Sequence, residues 1–249
     1  MNSVIKKIGL SIVLASAFSV SANAICVVDN YCINFYTGVG GFYENMSGSG
    51  VDVNNYAGFI SLGGSDLYFN RLQLGGDVKI GYGNNSVSGT NLSSISKSNK
   101  LLQVDVMAKI GFNIATKDSP LFINVIGGPD LIIPINGVGR ELYYIGAGID
   151  GKLSMSDKFG LTYSAGYGYI YAGKYRLDKV AADLNGYSQV FMASLGVQIK
   201  MTENTNFYFK GFGKYYDLGS SKSVQVNNQA ISMPNAKLWQ AGVEAGISF

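Results

Sequence analysis

Charged side chains recur at short spacings inside stretches that are otherwise apolar or glycine-rich: Asp77 with Lys79, Asp105 with Lys109, Asp150 with Lys152, and Lys210 with Lys214. Arg71 and Glu244 complete the set. Carboxylates and amines so placed could act as acid–base pairs, as ion pairs filling a polar interior, or as the lining of a pore. The chain contains no histidine, which removes the commonest general base and every Ser–His or Cys–His arrangement. A carboxylate pair can work alone, as in glycoside hydrolysis. Here the carboxylates are spread along the chain, each with a basic neighbour, and no enzyme is expected. Two cysteines without histidine make no metal site. Glycine runs such as "GLTYSAGYGYIYAG" stand inside an extended segment and open no helix, so they are not nucleotide loops and no cofactor is expected.

The elements that must hold these residues follow from a period of two. In "LQLGGDVKIGYG", Leu72, Leu74, Val78, Ile80 and Tyr82 alternate with Gln73, Asp77 and Lys79. A helical spacing from Leu72 lands on Gly75, Gly76 and Lys79 instead, so the segment reads as a strand. The same alternation returns in "LLQVDVMAKIGF", "YYIGAGIDGKL", "FGLTYSAGYGYIY", "FMASLGVQIK" and "WQAGVEAGISF". It predicts strands over 33–46, 54–63, 67–83, 100–113, 119–129, 140–153, 157–173, 187–201, 205–217 and 236–249. Ten strands are favoured over eight. Most reach the roughly 9–11 residues that a tilted strand needs to cross a bilayer. Short connections ("GGSD", "ATKDS", "SMS", "TEN") alternate with mostly longer ones ("SGSGVDV", "NNSVSGTNLSSISKSN", "DLIIPINGVG", "KYRLDKVAADLNG", "GSSKSVQVNNQAISMPN").

Alternation alone leaves open whether the apolar face points inward, as in a soluble ligand-binding barrel, or toward lipid. Three features favour lipid. Glycines stud the polar face, as a crowded lumen requires. The apolar face lacks the Lys, Glu and Thr of a water-facing sheet. Aromatics gather at strand ends: Tyr82, Tyr143, Tyr169, Tyr171, Tyr187, Tyr215 and Trp239 toward the long loops, and Phe112, Phe159, Phe207 and Phe249 toward the short turns. Hydrocarbon offers backbone N–H and C=O groups no partner, so the sheet must close on itself. The expected fold is an all-β, closed antiparallel transmembrane barrel over residues 25–249, with short periplasmic turns and long extracellular loops.

Residues 1–24 read as an export signal: Lys6 and Lys7, a short apolar run, then "ANA". Ile25 occupies the position before Cys26 where a lipoprotein signal needs a small residue, so lipidation is not expected. Cys26 and Cys32 in "CVVDNYC" are expected to form a disulfide closing a small loop in the exported protein. Removing Lys6 and Lys7 lowers the formal charge of +3 by two. No basic surplus remains to recruit nucleic acid.

The signal, the alternating strands, the asymmetric loops and the terminal Phe249 together resemble bacterial outer-membrane β-barrel proteins, such as the small OmpA-, OmpW- and Opa-type barrels. The resemblance implies a place in the outer membrane among its lipids, with loops displayed outside the cell. It also implies that Phe249 is a recognition signal for the barrel-assembly machinery. The enzymes of that group rely on histidine, which is absent here. The inward charges Arg71, Asp77, Lys79, Asp105, Lys109, Asp150, Lys152, Lys210, Lys214 and Glu244, with Glu44 and Lys200, are expected to form a salt-bridge network in place of an apolar core. Their basic excess keeps a narrow, anion-favouring pore as the alternative. A ten-strand lumen lies near the filled end of the barrel range. The leading expectation is a structural or adhesive surface protein whose loops, including the one carrying Lys174, Arg176, Asp178, Lys179 and Asp183, meet host-surface or matrix ligands.

Overall fold

The structure, a computed structural model, describes residues 25–28, 31–92, 95, 98–116, 119–202, 204–226 and 229–249. The expected export signal, 1–24, lies outside the described residues. Ten long strands run in chain order: β1 Tyr31–Gly48, β2 Val51–Tyr68, β3 Leu72–Ser88, β4 Ser98–Asn113, β5 Leu121–Pro134, β6 Val138–Ser154, β7 Phe159–Leu177, β8 Gln189–Lys200, β9 Asn206–Leu218 and β10 Ala236–Ser248. Each pairs antiparallel with its sequence neighbours, and β10 pairs with β1 from Ala236 opposite Gly48 to Ser248 opposite Tyr36. The barrel is closed and has ten strands. At its seam Phe249 and Phe35 exchange both backbone hydrogen bonds, at 2.7 and 3.2 Å. That pairing leaves no open edge to be desolvated in lipid.

Exposed apolar side chains cover the outer wall on every strand, among them Val39, Ile60, Ile80, Ile110, Val125, Ile145, Leu195, Phe209 and Val243. Tyr43, Tyr56, Tyr82, Tyr171, Tyr187 and Trp239 stand exposed toward the extracellular end, and Phe112, Phe159 and Phe207 toward the other. Tyr43 packs against Trp239 with ring centroids 5.1 Å apart. These are the two aromatic belts of the expected membrane orientation. Inside, glycines make room for the rings of their partners on the neighbouring strand. A Cβ on Gly63 would overlap the Tyr36 ring, and one on Gly40 would overlap Phe59.

The strands run 12 to 19 residues, longer than a bilayer requires, and the surplus projects on the extracellular side. Several expected boundaries move as a result. "GGSD" continues β2, and the periplasmic turn is Tyr68–Leu72, closed by Arg71 N–H donating to Tyr68 O at 2.9 Å. Phe69 and Asn70 both take positive φ (54° and 56°), the backbone of a two-residue hairpin turn whose hand suits twisted strands. Arg71 is therefore an exposed turn residue over the Phe112 ring, not a lumen charge. "SGSGVDV" and "DLIIPINGVG", expected as long loops, are mostly strand: the outer turns there are residues 49–50 and 135–137.

The physical reason is a reversal of polarity between the two faces of the wall above the membrane. Val51 and Val53 on β2, Val138 and Leu142 on β6, Leu177 on β7, Leu218 on β9 and Leu238 on β10 point inward and are buried. Asp52, Glu141, Asp217 and Lys237 point out. Along one strand the apolar face changes from outside to inside as the surrounding medium changes from lipid to water. The inward apolar residues form one cluster, with Met46, Tyr175, Met233 and Leu238 among its members, that fills the extracellular end of the lumen.

Candidate functional site

Below that cluster the lumen is polar and organised in levels. In the uppermost, the Arg140 guanidinium on β6 bridges Glu44 on β1 and Asp130 on β5, the latter at 3.0 Å. Arg140, Glu44 and Asp130 are each at most 2% exposed. Glu44 also accepts from Asn55 (2.8 Å) and Gln240 (3.1 Å). Asp130 accepts from the Tyr216 hydroxyl and from Lys214 at 2.9 Å, and Lys214 reaches on to Asp105 at 2.7 Å. The next level is Glu244 on β10, held by Lys79 (3.3 Å), Lys210 (3.1 Å), the Tyr208 hydroxyl (2.7 Å) and Ser61 (2.9 Å). Lys79 lies between the Phe59 and Phe212 rings, 4.1 Å from the Phe212 centroid, an arrangement that lets a buried ammonium interact with π-faces as well as a carboxylate. Nearest the periplasm, Lys109 pairs with Asp150 at 3.0 Å, and Asn124 donates to the same carboxylate at 2.6 Å.

Of the predicted lumen charges, Asp77, Lys79, Asp105, Lys109, Asp150, Lys152, Lys210, Lys214 and Glu244 do face the interior. Arg71 does not, and Lys200 is exposed at the periplasmic end of β8. Arg140 and Asp130 join the set, having been assigned to a strand rim and a loop. Arg140 shares parity with Gly146, Gly148 and Asp150 on β6, a signal that was present in the sequence. With these exchanges, six basic groups meet six acidic ones, and the basic excess expected of an anion pore is gone.

A cavity of about 410 Å³ occupies the periplasmic half of the lumen. Asn34, Lys152, Gln198 and Ser248, close to the periplasmic strand ends, lie at its mouth; Lys79, Asp105 and Lys214 lie at its inner end. Above them come the Arg140 level and the apolar cluster, so the described residues close the lumen into a recess that opens toward the periplasm. Among the described residues no three His, Cys, Asp or Glu side chains converge to hold a metal ion.

The extracellular end is a built surface. Residues 180–185 pair with the end of β7 and with Ser220–Ser221, and Val224–Val226 pairs with Gln229–Ile231. Tyr175 OH donates to Gly219 O (3.1 Å), Gly219 N–H to Ser188 Oγ (2.9 Å) and Lys222 N–H to Asp183 O (2.9 Å). Of the predicted loop charges, Arg176 pairs with Glu141 on the wall and Asp178 accepts from Gly137 N–H at 2.6 Å. Lys174, Lys179 and Asp183 are exposed. At the other end, the strand Ile25–Val28 pairs with the start of β1 and sets Cys26 directly opposite Cys32.

No protein-family model and no curated protein matches the chain. Among solved structures it is similar to the outer membrane protease OmpT from Escherichia coli: TM-score 0.54, 12% identity, covering 89% of this chain and 96% of that one. Weaker likenesses reach the outer membrane protein OprG from Pseudomonas aeruginosa (TM-score 0.41, 11% identity, 88% and 94% covered) and Ail, the attachment invasion locus protein of Yersinia pestis (0.35, 11%, 87% and 99%). At such identities the likeness is one of fold. By that fold, the chain is a ten-stranded β-barrel of the outer-membrane type.

Proposed function

We propose that this protein is a non-enzymatic surface protein of the outer membrane, with a structural or adhesive role carried by its extracellular end. One observation carries the reading: the lumen is closed on the outside by packed side chains, while the outer surface is ordered into a hydrogen-bonded platform. A narrow pore, the alternative reading, needs a continuous polar path. Met233, Leu177, Leu218 and Leu238, all at most 1% exposed, stand across that path. A preorganised platform loses little conformational entropy on binding, which suits contact with a host-surface or matrix ligand. The absence of histidine and the pairing of most lumen charges favour the non-enzymatic reading over the chemistry of the protease that shares the fold.

Export by a cleaved signal over 1–24 and assembly through recognition of Phe249 belong to the same proposal. So does a Cys26–Cys32 disulfide: directly opposed residues of an antiparallel hairpin fall within the roughly 4.4–6.8 Å of Cα separation that the bond requires. The experiment is cell or matrix binding by bacteria displaying the protein. Replacing residues 178–188 or 219–235 with short Gly–Ser turns is expected to abolish binding while the barrel still assembles. Undiminished binding with both segments replaced would contradict the adhesive reading.

A further inference from the structure

The periplasm-facing cavity is not explained by a surface role. Every charged group in the lumen is ion-paired among the described residues except two, Asp77 and Lys152. Both line the cavity. Asp77 lies five residues into β3 from its periplasmic start, and Lys152 two residues from the periplasmic end of β6. An unpaired acid inside and an unpaired base at the mouth define a dipolar recess.

A second observation concerns hydrogen bonding. Gln73 Oε1, Asp77 Oδ1, Asp105 Oδ1 and Asn124 Oδ1 are buried atoms without a hydrogen-bond partner within the protein, and all four residues line this cavity. Gln73 is 7% and Asn124 3% exposed. The Asn124 amide cannot turn round without losing its donation to Asp150. Four buried acceptors call for donors, because an unsatisfied buried polar group is costly. An ammonium supplies up to three in a compact head. A metal ion is the poorer candidate, since among the described residues no three His, Cys, Asp or Glu side chains converge. Volumes of about 300–1,000 Å³ are usual for small-molecule sites, and this one, about 410 Å³, has room for a solute of dipeptide size.

We propose that the periplasmic recess binds a small zwitterion, its ammonium group at Asp77 with Gln73 and its carboxylate at Lys152. The proposal is independent of what the extracellular surface contacts. Its test is calorimetric titration of the folded protein in lipid nanodiscs, at neutral pH, with glycylglycine, and with 1,4-diaminobutane and glutarate as single-sign controls. Saturable one-to-one binding of glycylglycine, tighter than either control, is expected. Asp77→Asn, which is close to isosteric and breaks no ion pair, should weaken it about ten- to a hundredfold, the effect of a charge-assisted hydrogen bond. Lys152→Met should weaken it about two- to fivefold, because that group is partly exposed at the mouth. Amide shift mapping on the unmodified protein gives a readout that needs no variant: glycylglycine should move signals in 73–77 and 150–152 and not in 178–188. Four results would each overturn the proposal: no saturable binding (a recess holding solvent only), equal binding of a control, unchanged affinity in Asp77→Asn, or shifts confined to the outer segments.

Discussion

Arg140→Ala is expected to destabilise the folded barrel by about 3–5 kcal/mol, the cost of leaving buried charges without their partner. Among the described residues Arg140 is the sole cation within ion-pair distance of Glu44, and it shares Asp130 with Lys214. Both carboxylates are fully buried. Removing the guanidinium strands Glu44 among neutral amides, and Asn55 and Gln240 cannot neutralise it. The loss should fall sharply when Glu44→Gln is added, because the stranded charge goes with it. Lys109→Ala is the internal control. Its pair with Asp150 is about one-fifth exposed on both sides, so the cost should stay near 1 kcal/mol or below. Equilibrium unfolding in urea from phospholipid vesicles, followed by tryptophan fluorescence, reads all of these. Equal losses for Arg140→Ala and Lys109→Ala would show that the upper level of the network is not the part that holds the lumen together.

The second large effect lies on the outer wall. Leu195, midway along β8 and 59% exposed, faces the centre of the hydrocarbon if the apolar side is the lipid side. Leu195→Arg should then cost about 2–4 kcal/mol, whereas Tyr187→Arg, at the extracellular belt, should cost about 0–1 kcal/mol. A water-facing wall would tolerate arginine at both positions equally. The same unfolding series, run in vesicles, distinguishes the two by the slope of cost against depth.

Those two sites also show how far the sequence alone reaches. Within the membrane, the wall was legible because period-two alternation sets one face against lipid, and a one-residue slip would expose the wrong face. Leu195, Val243 and the charges from Asp77 to Glu244 therefore fell on the correct sides. Above the membrane the same logic misled. In "SGSGVDV" Val51 and Val53 are apolar and inward with Asp52 outward, the reverse of the pattern lower on the strand. Read with membrane phase, such segments look like loops, and the apolar seal they build was missed. Arg71 was misplaced because Phe69–Asn70 carries the positive-φ turn without the Asn-Gly or Asp-Gly signature such turns favour. Asp130 and Arg140 were passed over because they sit where lipid-phase alternation gives way to its inverse. Which charges pair across the lumen was not legible at all. Glu44 and Arg140 are 96 positions apart, and only the curvature and stagger of the closed sheet bring them together.

A barrel shut on its extracellular side by packed apolar side chains works through its outer surface and not by conduction. Single-channel recording of the folded protein in planar bilayers tests this most directly. A sealed lumen gives no steady conductance steps in molar salt at moderate voltage, in either orientation. Stable, reproducible open steps from the unmodified protein would contradict it.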